Sequence, residues 1–149
     1  MSRTEKTTFT NMCMIREGDR VLLQDRRDPD WPGTAFPGGH VEEGESFTDA
    51  VIREVREETG LAISAPRLAG IKDWYAEGRR YVVLLYCADQ FTGSLCASEE
   101  GEVRWVSLED LPKETLAADM EDMLRVFLEA DLSEFYYRKT DTGWIRELK

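Results

Sequence analysis

Cysteine and histidine are scarce in this chain, and long apolar runs are missing. Cys13, Cys87 and Cys96 are an odd number without metal-ligand spacing, which argues against both a disulfide framework and a thiolate metal cluster. Cys13 and Cys87 lie inside apolar runs and read as packed thiols of a reducing compartment, with the cytoplasm as the default. The single histidine, His40, cannot build an imidazole-rich metal site. The longest unbroken apolar run, Tyr81 to Ala88, is far too short to span a bilayer. Residues Met1 to Thr8 are polar and lack the apolar stretch of a secretory signal. These absences point to a soluble protein with no membrane partner.

Glycine and proline are also modest, 11 and 5 in 149 residues. Without a repeat, a low-complexity tract or a Gly/Ser linker, the expectation is one domain over residues 1–149. Positive charge is in deficit: 19 basic side chains against 30 acidic ones give a net charge of −11. Such a field repels a long polyanion, so extended nucleic acid, capped RNA included, is a poor partner. A small phosphorylated ligand stays open, because a few arginines and a metal ion reverse the local potential. A homodimer is compatible with the sequence.

What is present alternates between strand and helix patterns. Thr8–Ile15 and Val21–Gln24 read as strands joined by a turn at Arg16–Asp19, and Asp25–Gly39 reads as loop. A helix is expected over Ser46–Thr59, started by Ser46 with Asp49 and stopped by Gly60. Strands follow at Leu68–Tyr75 and Arg80–Asp89 with a turn at Ala76–Gly78, then at Glu102–Ser107. A helical turn is expected at Leu108–Leu111, ended by Pro112. A second helix fits Asp119–Ala130, with Met120, Met123, Leu124, Phe127 and Leu128 on one side. The C-terminal Glu134–Arg138 and Trp144–Leu148 read as a hairpin. The architecture that buries these elements is α/β, a mixed sheet with helices on both faces.

The chemistry concentrates in the first helix. At about 100° per residue, Glu54, Glu57 and Glu58 share one arc, and Thr48, Val51, Ile52, Val55 and Thr59 fill the adjoining one. Three clustered carboxylates repel one another, so a positive partner is expected beside them. An all-oxygen set suits a hard divalent cation, Mg²⁺ or Mn²⁺. The plainer reading is a solvated face with Asp49–Arg53 and Arg53–Glu57 as ordinary i,i+4 pairs. Gly38, Gly39 and Gly44 make the preceding loop tight, able to bring backbone carbonyls close to the helix. Glu45 is placed to pair with Arg53 and fix the loop on the helix.

The segment Gly39–Leu61 resembles the Nudix box, G-x5-E-x7-R-E-U-x-E-E-x-G-U, where U is a bulky aliphatic residue. Gly39, Glu45, Arg53, Glu54, Val55, Glu57, Glu58, Gly60 and Leu61 fill every defined position. At ordinary residue usage a chance match is on the order of one in a million or rarer. The resemblance implies a Nudix-type α/β/α sandwich, and hydrolysis of a nucleoside diphosphate linked to another moiety with Mg²⁺ or Mn²⁺ as cofactor. It places metal ligation on the Gly39 carbonyl, Glu54, Glu57 and Glu58, with Glu54 or Glu57 as base, and gives Glu45 and Arg53 structural roles.

Outside the box the likeness is to MutT-like nucleoside triphosphatases, including those that sanitise 8-oxo-dGTP. It rests on Thr10–Cys13, Ala35–His40, Ser98–Gly101 and the acidic helix start after Leu116–Ala118. It implies a further catalytic carboxylate at Glu100, with Glu99 close behind, and a phosphate-contacting Arg26. Asn11 and Asp119 are the candidate base readers, with Trp31 or Trp74 stacking on the base. Plainer readings stand beside these: Asp119 as a helix N-cap, Asn11 on an exposed strand face, Glu100 and Arg26 as solvated loop charges.

Overall fold

The computed structural model describes residues 2–149. In chain order its strands and helices are β1 (Thr7–Glu17), β2 (Arg20–Arg26), β3 (Gly33–Ala35), α1 (Phe47–Thr59), β4 (Leu61–Ser64), β5 (Arg67–Ala76), β6 (Arg79–Ala88), β7 (Gln90–Gly93), β8 (Gly101–Ser107), α2 (Met120–Leu128), β9 (Glu134–Thr140) and β10 (Gly143–Leu148). A 3₁₀ turn at Leu108–Lys113 follows β8. The main sheet has the order β10-β9-β5-β6-β1-β2-β3, with β8 also paired to β2. It is mixed: β1 runs parallel to β6 and β5 parallel to β9, while the other ladders of the main sheet are antiparallel.

Helices cover both faces, as the resemblance implies. α1 packs on β4 and β1, and α2 on β5, β6 and β9. Strand alternation sorts the core accordingly. Cys13 and Ile15 face α1 together with Val51, Val55 and Leu84, whereas Met12 and Met14 face α2 with Met120, Met123 and Phe127. Among the described residues no helix is long and apolar enough to cross a membrane.

Local chemistry explains most boundaries. Ser46 Oγ accepts the Asp49 N–H at 3.0 Å and opens α1; Gly60, at φ 82°, closes it in the left-handed conformation that glycine adopts without strain. The β5–β6 turn carries Glu77 and Gly78 at φ 55° and 76°, the backbone of a tight two-residue hairpin.

Three expectations are corrected, and one strand pair is new. The stretch Asp25–Gly39 is not all loop: Asp25 and Arg26 extend β2, and Gly33–Ala35 pairs back on them as β3. β4 and β7 form a small separate sheet whose four-residue strands are too short to show a period. In α1 Thr48 is exposed and Ala50 is buried instead. In α2 Leu128 faces solvent while Val126 is buried, because the buried arc runs through Met123, Val126 and Phe127, and Leu128 lies about 140° round the helix from Met123.

One feature of the sheet creates the cleft. β1 and β2 pair only at Arg16–Val21 and Glu17–Arg20. Toward its N-terminal half β1 instead takes up the loop before α1: Cys13 N–H donates to the Pro37 carbonyl (2.8 Å), Asn11 N–H to Gly39 (2.8 Å), and Val41 N–H to the Phe9 carbonyl (3.0 Å). The glycine loop is thus laced to the sheet by backbone bonds.

Candidate active site

A pocket of about 610 Å³ opens where β1 and β2 diverge. It brings together Gly39, Glu54, Glu58 and Glu100 with Arg26, Asn11, Asp119, Trp31 and Trp74, residues spread over more than a hundred positions of the chain. Glu57 and Glu99 do not line it.

The three box glutamates differ because they sit at graded angles from the buried face of α1. Glu58, next to Val51 and Val55, is 6% exposed. The Glu54 side chain is 15% exposed and that of Glu57 59%. Glu58 Oε2 accepts the Gly38 N–H at 3.0 Å and a longer bond from Gln24 Nε2 at 3.4 Å. Burial pushes the Glu58 carboxyl up to about 7, the charges of Glu54 and Glu100 add to this, and the Gly38 N–H and Arg26 oppose it.

Arg53 supplies the positive partner that the sequence calls for. Its Nε and Nη2 donate to the two oxygens of Glu45 at 2.7 and 2.9 Å, and Nη2 also donates to the His40 carbonyl at 3.0 Å. Its Nη1 bridges Glu54 (2.9 Å) and Glu57 (3.2 Å). The Arg53 fork, with the Glu42 N–H beside it, holds the Glu45 carboxyl down at about 2. The structural role implied for this pair thus has a physical form: loop, helix and two glutamates share one guanidinium.

With Arg53 on Glu54 and Glu57, and Glu58 turned to Gly38, no three acidic, histidine or cysteine side chains among the described residues are grouped to hold a metal ion. The chemistry of the donors nevertheless suits one. They are all oxygens, and the Gly39 carbonyl, after taking the Asn11 N–H, keeps a second lone pair. The glycines are required by close approach. A Cβ at Gly38 would lie 2.0 Å from the Asn11 carbonyl oxygen, and one at Gly39 2.3 Å from the Glu54 carboxylate.

Asn11 is buried, and its side chain lies on the α1 side with Phe9 and Cys13. Its Oδ1 accepts the Gly39 N–H at 3.0 Å, while Nδ2 is buried without a partner. It therefore anchors the glycine loop and does not sit on an exposed strand face. Arg26 is half buried: Nε donates to the Trp31 carbonyl at 3.0 Å, Nη2 lies 3.4 Å from Asp28, and the guanidinium stacks over the Trp31 ring. Trp31 Nε1 in turn donates to the Ala118 carbonyl at 3.0 Å. Glu100 stands exposed at the rim and lends its backbone carbonyl to the Arg27 N–H.

Asp119 opens α2 by position only. Its backbone is left-handed (φ 70°) and its side chain caps nothing. Instead, Oδ2 accepts a hydrogen bond from Lys72 Nζ at 3.1 Å. Lys72 is the residue the sequence reading missed. It sits in register with Val83 and Thr10 across the sheet and points into the pocket. The signal was a lysine at an inward position of an apolar strand, sharing a face with Trp74.

The sequence profile of the NUDIX domain matches residues 6–127. The chain is 38% identical over 105 residues to the uncharacterized Nudix hydrolase YvcI of Bacillus subtilis, covering 66% of this chain and 65% of that protein, so it spans slightly under two thirds of that relative. It is 33% identical over 119 residues to a Methanocaldococcus jannaschii protein named ADP-ribose pyrophosphatase, covering 77% of this chain and 69% of the relative. Among solved structures it is similar to a mutator MutT protein from Bacillus halodurans, with 27% identity, a TM-score of 0.75, and 95% and 94% of the two chains covered. With the profile, the fold and the complete box in agreement, the chain belongs to the Nudix family.

Proposed function

We infer that the protein is a divalent-metal-dependent hydrolase of a nucleoside triphosphate, foremost an oxidised purine such as 8-oxo-dGTP, yielding nucleoside monophosphate and pyrophosphate. The observation that carries this is one continuous pocket lined by Glu54, Glu58, Glu100 and Gly39 together with Trp31, Trp74, Lys72 and Asp119. Carboxylates suit a metal-bound diphosphate, and aromatic walls beside a polar pair suit a base.

The Gly39 carbonyl, Glu54, Glu57 and Glu58 would hold the ion, Mg²⁺ or Mn²⁺. When bound, it neutralises the diphosphate oxygens and lowers the pKa of attached water. Glu54 or Glu57, the two carboxylates bridged by Arg53, takes the proton from the attacking water, and Glu100 supplies a further carboxylate at the rim. Arg26, steadied by Trp31 and Asp28, faces the phosphates. Asp119 reads the base between the tryptophans, while Asn11, on the opposite face of the sheet, serves the site by holding the Gly39 N–H. Nucleotide-pool sanitation is work for the cytoplasm.

A second reading, a pyrophosphatase for another nucleoside diphosphate derivative, is favoured by the relative named ADP-ribose pyrophosphatase. A non-catalytic nucleotide sensor is disfavoured by the retention of Glu54, Glu57 and Glu58. The test is Mg²⁺-dependent phosphate release from 8-oxo-dGTP, dGTP, ADP-ribose and NADH. 8-oxo-dGTP turns over fastest; equal or faster ADP-ribose turnover rejects the first reading, and no turnover of any compound, with nucleotide still bound, selects the sensor.

A further inference from the structure

The base end of the pocket is held by a segment that lies beyond the residues matching the family profile. β9 and β10 follow residue 127, where that match ends. β9 runs parallel to β5 and pairs with Ile71–Trp74, the stretch that delivers Lys72 and Trp74 to the pocket. Phe135 of β9 is fully buried, and its ring lies 5.5 Å from Lys72 Nζ, which also lies 5.0 Å from the Trp74 ring. From β10, Arg146 places Nη2 3.5 Å from Asp119 Oδ1 and Nη1 3.5 Å from Asp122 Oδ2. Lys72 holds the other oxygen of Asp119. Since the Asp119 side chain makes no cap bond to α2, two cations from separate strands fix it in place.

The structure assigns Arg146 as a positioning residue for nucleobase selection: it locks Asp119 so that the Lys72 ammonium and the Asp119 carboxylate present a donor and an acceptor side by side. This rests on the reading of the pocket as a nucleoside triphosphate site. Each Asp119 oxygen keeps a lone pair after its ion pair, and Lys72 keeps N–H groups beyond the one given to Asp119. A guanine-type edge meets this pair with a carbonyl beside two N–H donors, so both contacts are charge-assisted and the carboxylate takes two bonds. An adenine-type edge brings one donor group and a ring nitrogen. The selected class is therefore the 6-oxopurine nucleotides, and selection weakens when Asp119 is free to swing.

The experiment is steady-state kinetics of the full chain with dGTP and dATP in Mg²⁺. It compares the unsubstituted protein with Arg146→Ala, Arg146→Lys and Arg138→Ala. Arg138 lies on the same hairpin and pairs with Glu147 outside the pocket, so it reports hairpin stability alone. Arg146→Ala raises the KM for dGTP about three- to fivefold, the scale of a half-exposed ion pair, leaves kcat within about twofold, and lowers the dGTP/dATP preference by the same factor. Arg146→Lys restores most of the preference, and Arg138→Ala leaves it unchanged. An equal KM rise for both nucleotides, an unchanged preference in Arg146→Ala, or the same effect from Arg138→Ala overturns the assignment while leaving the triphosphatase reading intact. No triphosphate turnover by the unsubstituted protein, with ADP-ribose hydrolysed, overturns both.

Discussion

The Glu54 carboxylate occupies the space where a Gly39 side chain would begin, with Cδ and Oε2 both 2.3 Å from an ideal Cβ there. The obstructing atoms are the far end of a side chain, so Gly39→Ala folds but displaces Glu54. A displacement on this scale near reacting atoms costs about 10²-fold in rate. The expected result is a normal melting curve with about 10²-fold lower kcat. Gly38→Ala differs, because its Cβ meets the Asn11 backbone oxygen at 2.0 Å, and the melting temperature itself drops.

Arg53→Lys tests the shared guanidinium. A lysine offers one compact ammonium and cannot reproduce the fork to Glu45 while also bridging Glu54 and Glu57. The expected cost is about 1–2 kcal/mol of stability, or roughly 3–6 °C in melting temperature. Turnover falls as well, since the loop is no longer fixed to the helix. An unchanged melting temperature argues against the structural role.

Glu57→Gln separates chemistry from folding. The side chain is largely exposed, so the melting temperature moves by no more than about 0.5 kcal/mol implies. Turnover falls about 10²-fold or more, and Mn²⁺ uptake followed by calorimetry weakens. Full activity in this variant rejects the metal assignment.

Lys72→Met keeps the length of the side chain and removes its charge. The Asp119 carboxylate then loses its 3.1 Å partner at a buried site. Nucleotide KM rises about tenfold with kcat little changed. A proportionate fall in kcat places Lys72 in the chemistry instead.

Asp73, on the face of β5 opposite Lys72 and Trp74, gives the fold a pH dependence of its own. Burial first, and the neighbouring Glu134 next, raise its carboxyl from 3.8 to about 7, against the pull of Arg80, which donates to it at 3.1 Å. A carboxyl whose folded pKa is raised binds its proton more tightly when folded. The stability it contributes is therefore complete below about pH 4 and is lost as pH rises through about 7. Melting temperature declines over that interval, and Asp73→Asn flattens the decline. An unchanged slope in Asp73→Asn assigns the titration elsewhere.

The box was legible because its spacing is local. Ser46, the i,i+3 and i,i+4 order of the glutamates, and Gly60 depend on helix geometry alone, so α1 was expected at Ser46–Thr59 and is found at Phe47–Thr59. β5, β6 and the C-terminal hairpin were legible from alternation and turn residues for the same reason. β3, β4 and β7 were not, since strands of three or four residues exist only through their partners.

Composition, charge, the glutamate spacing and the two-sided architecture were thus determined by sequence alone, because each follows from periodicity or from residue type. Tertiary structure decided that the same Arg53 guanidinium also takes Glu54, beside the Glu45 and Glu57 partners its spacing already offered, that Asn11 anchors Gly39, and that Lys72 and Arg146 converge on Asp119. Those partners are brought together by strand register and by the divergence of β1 from β2. A charged side chain chooses the partner nearest in space, and separation along the chain does not reveal that distance.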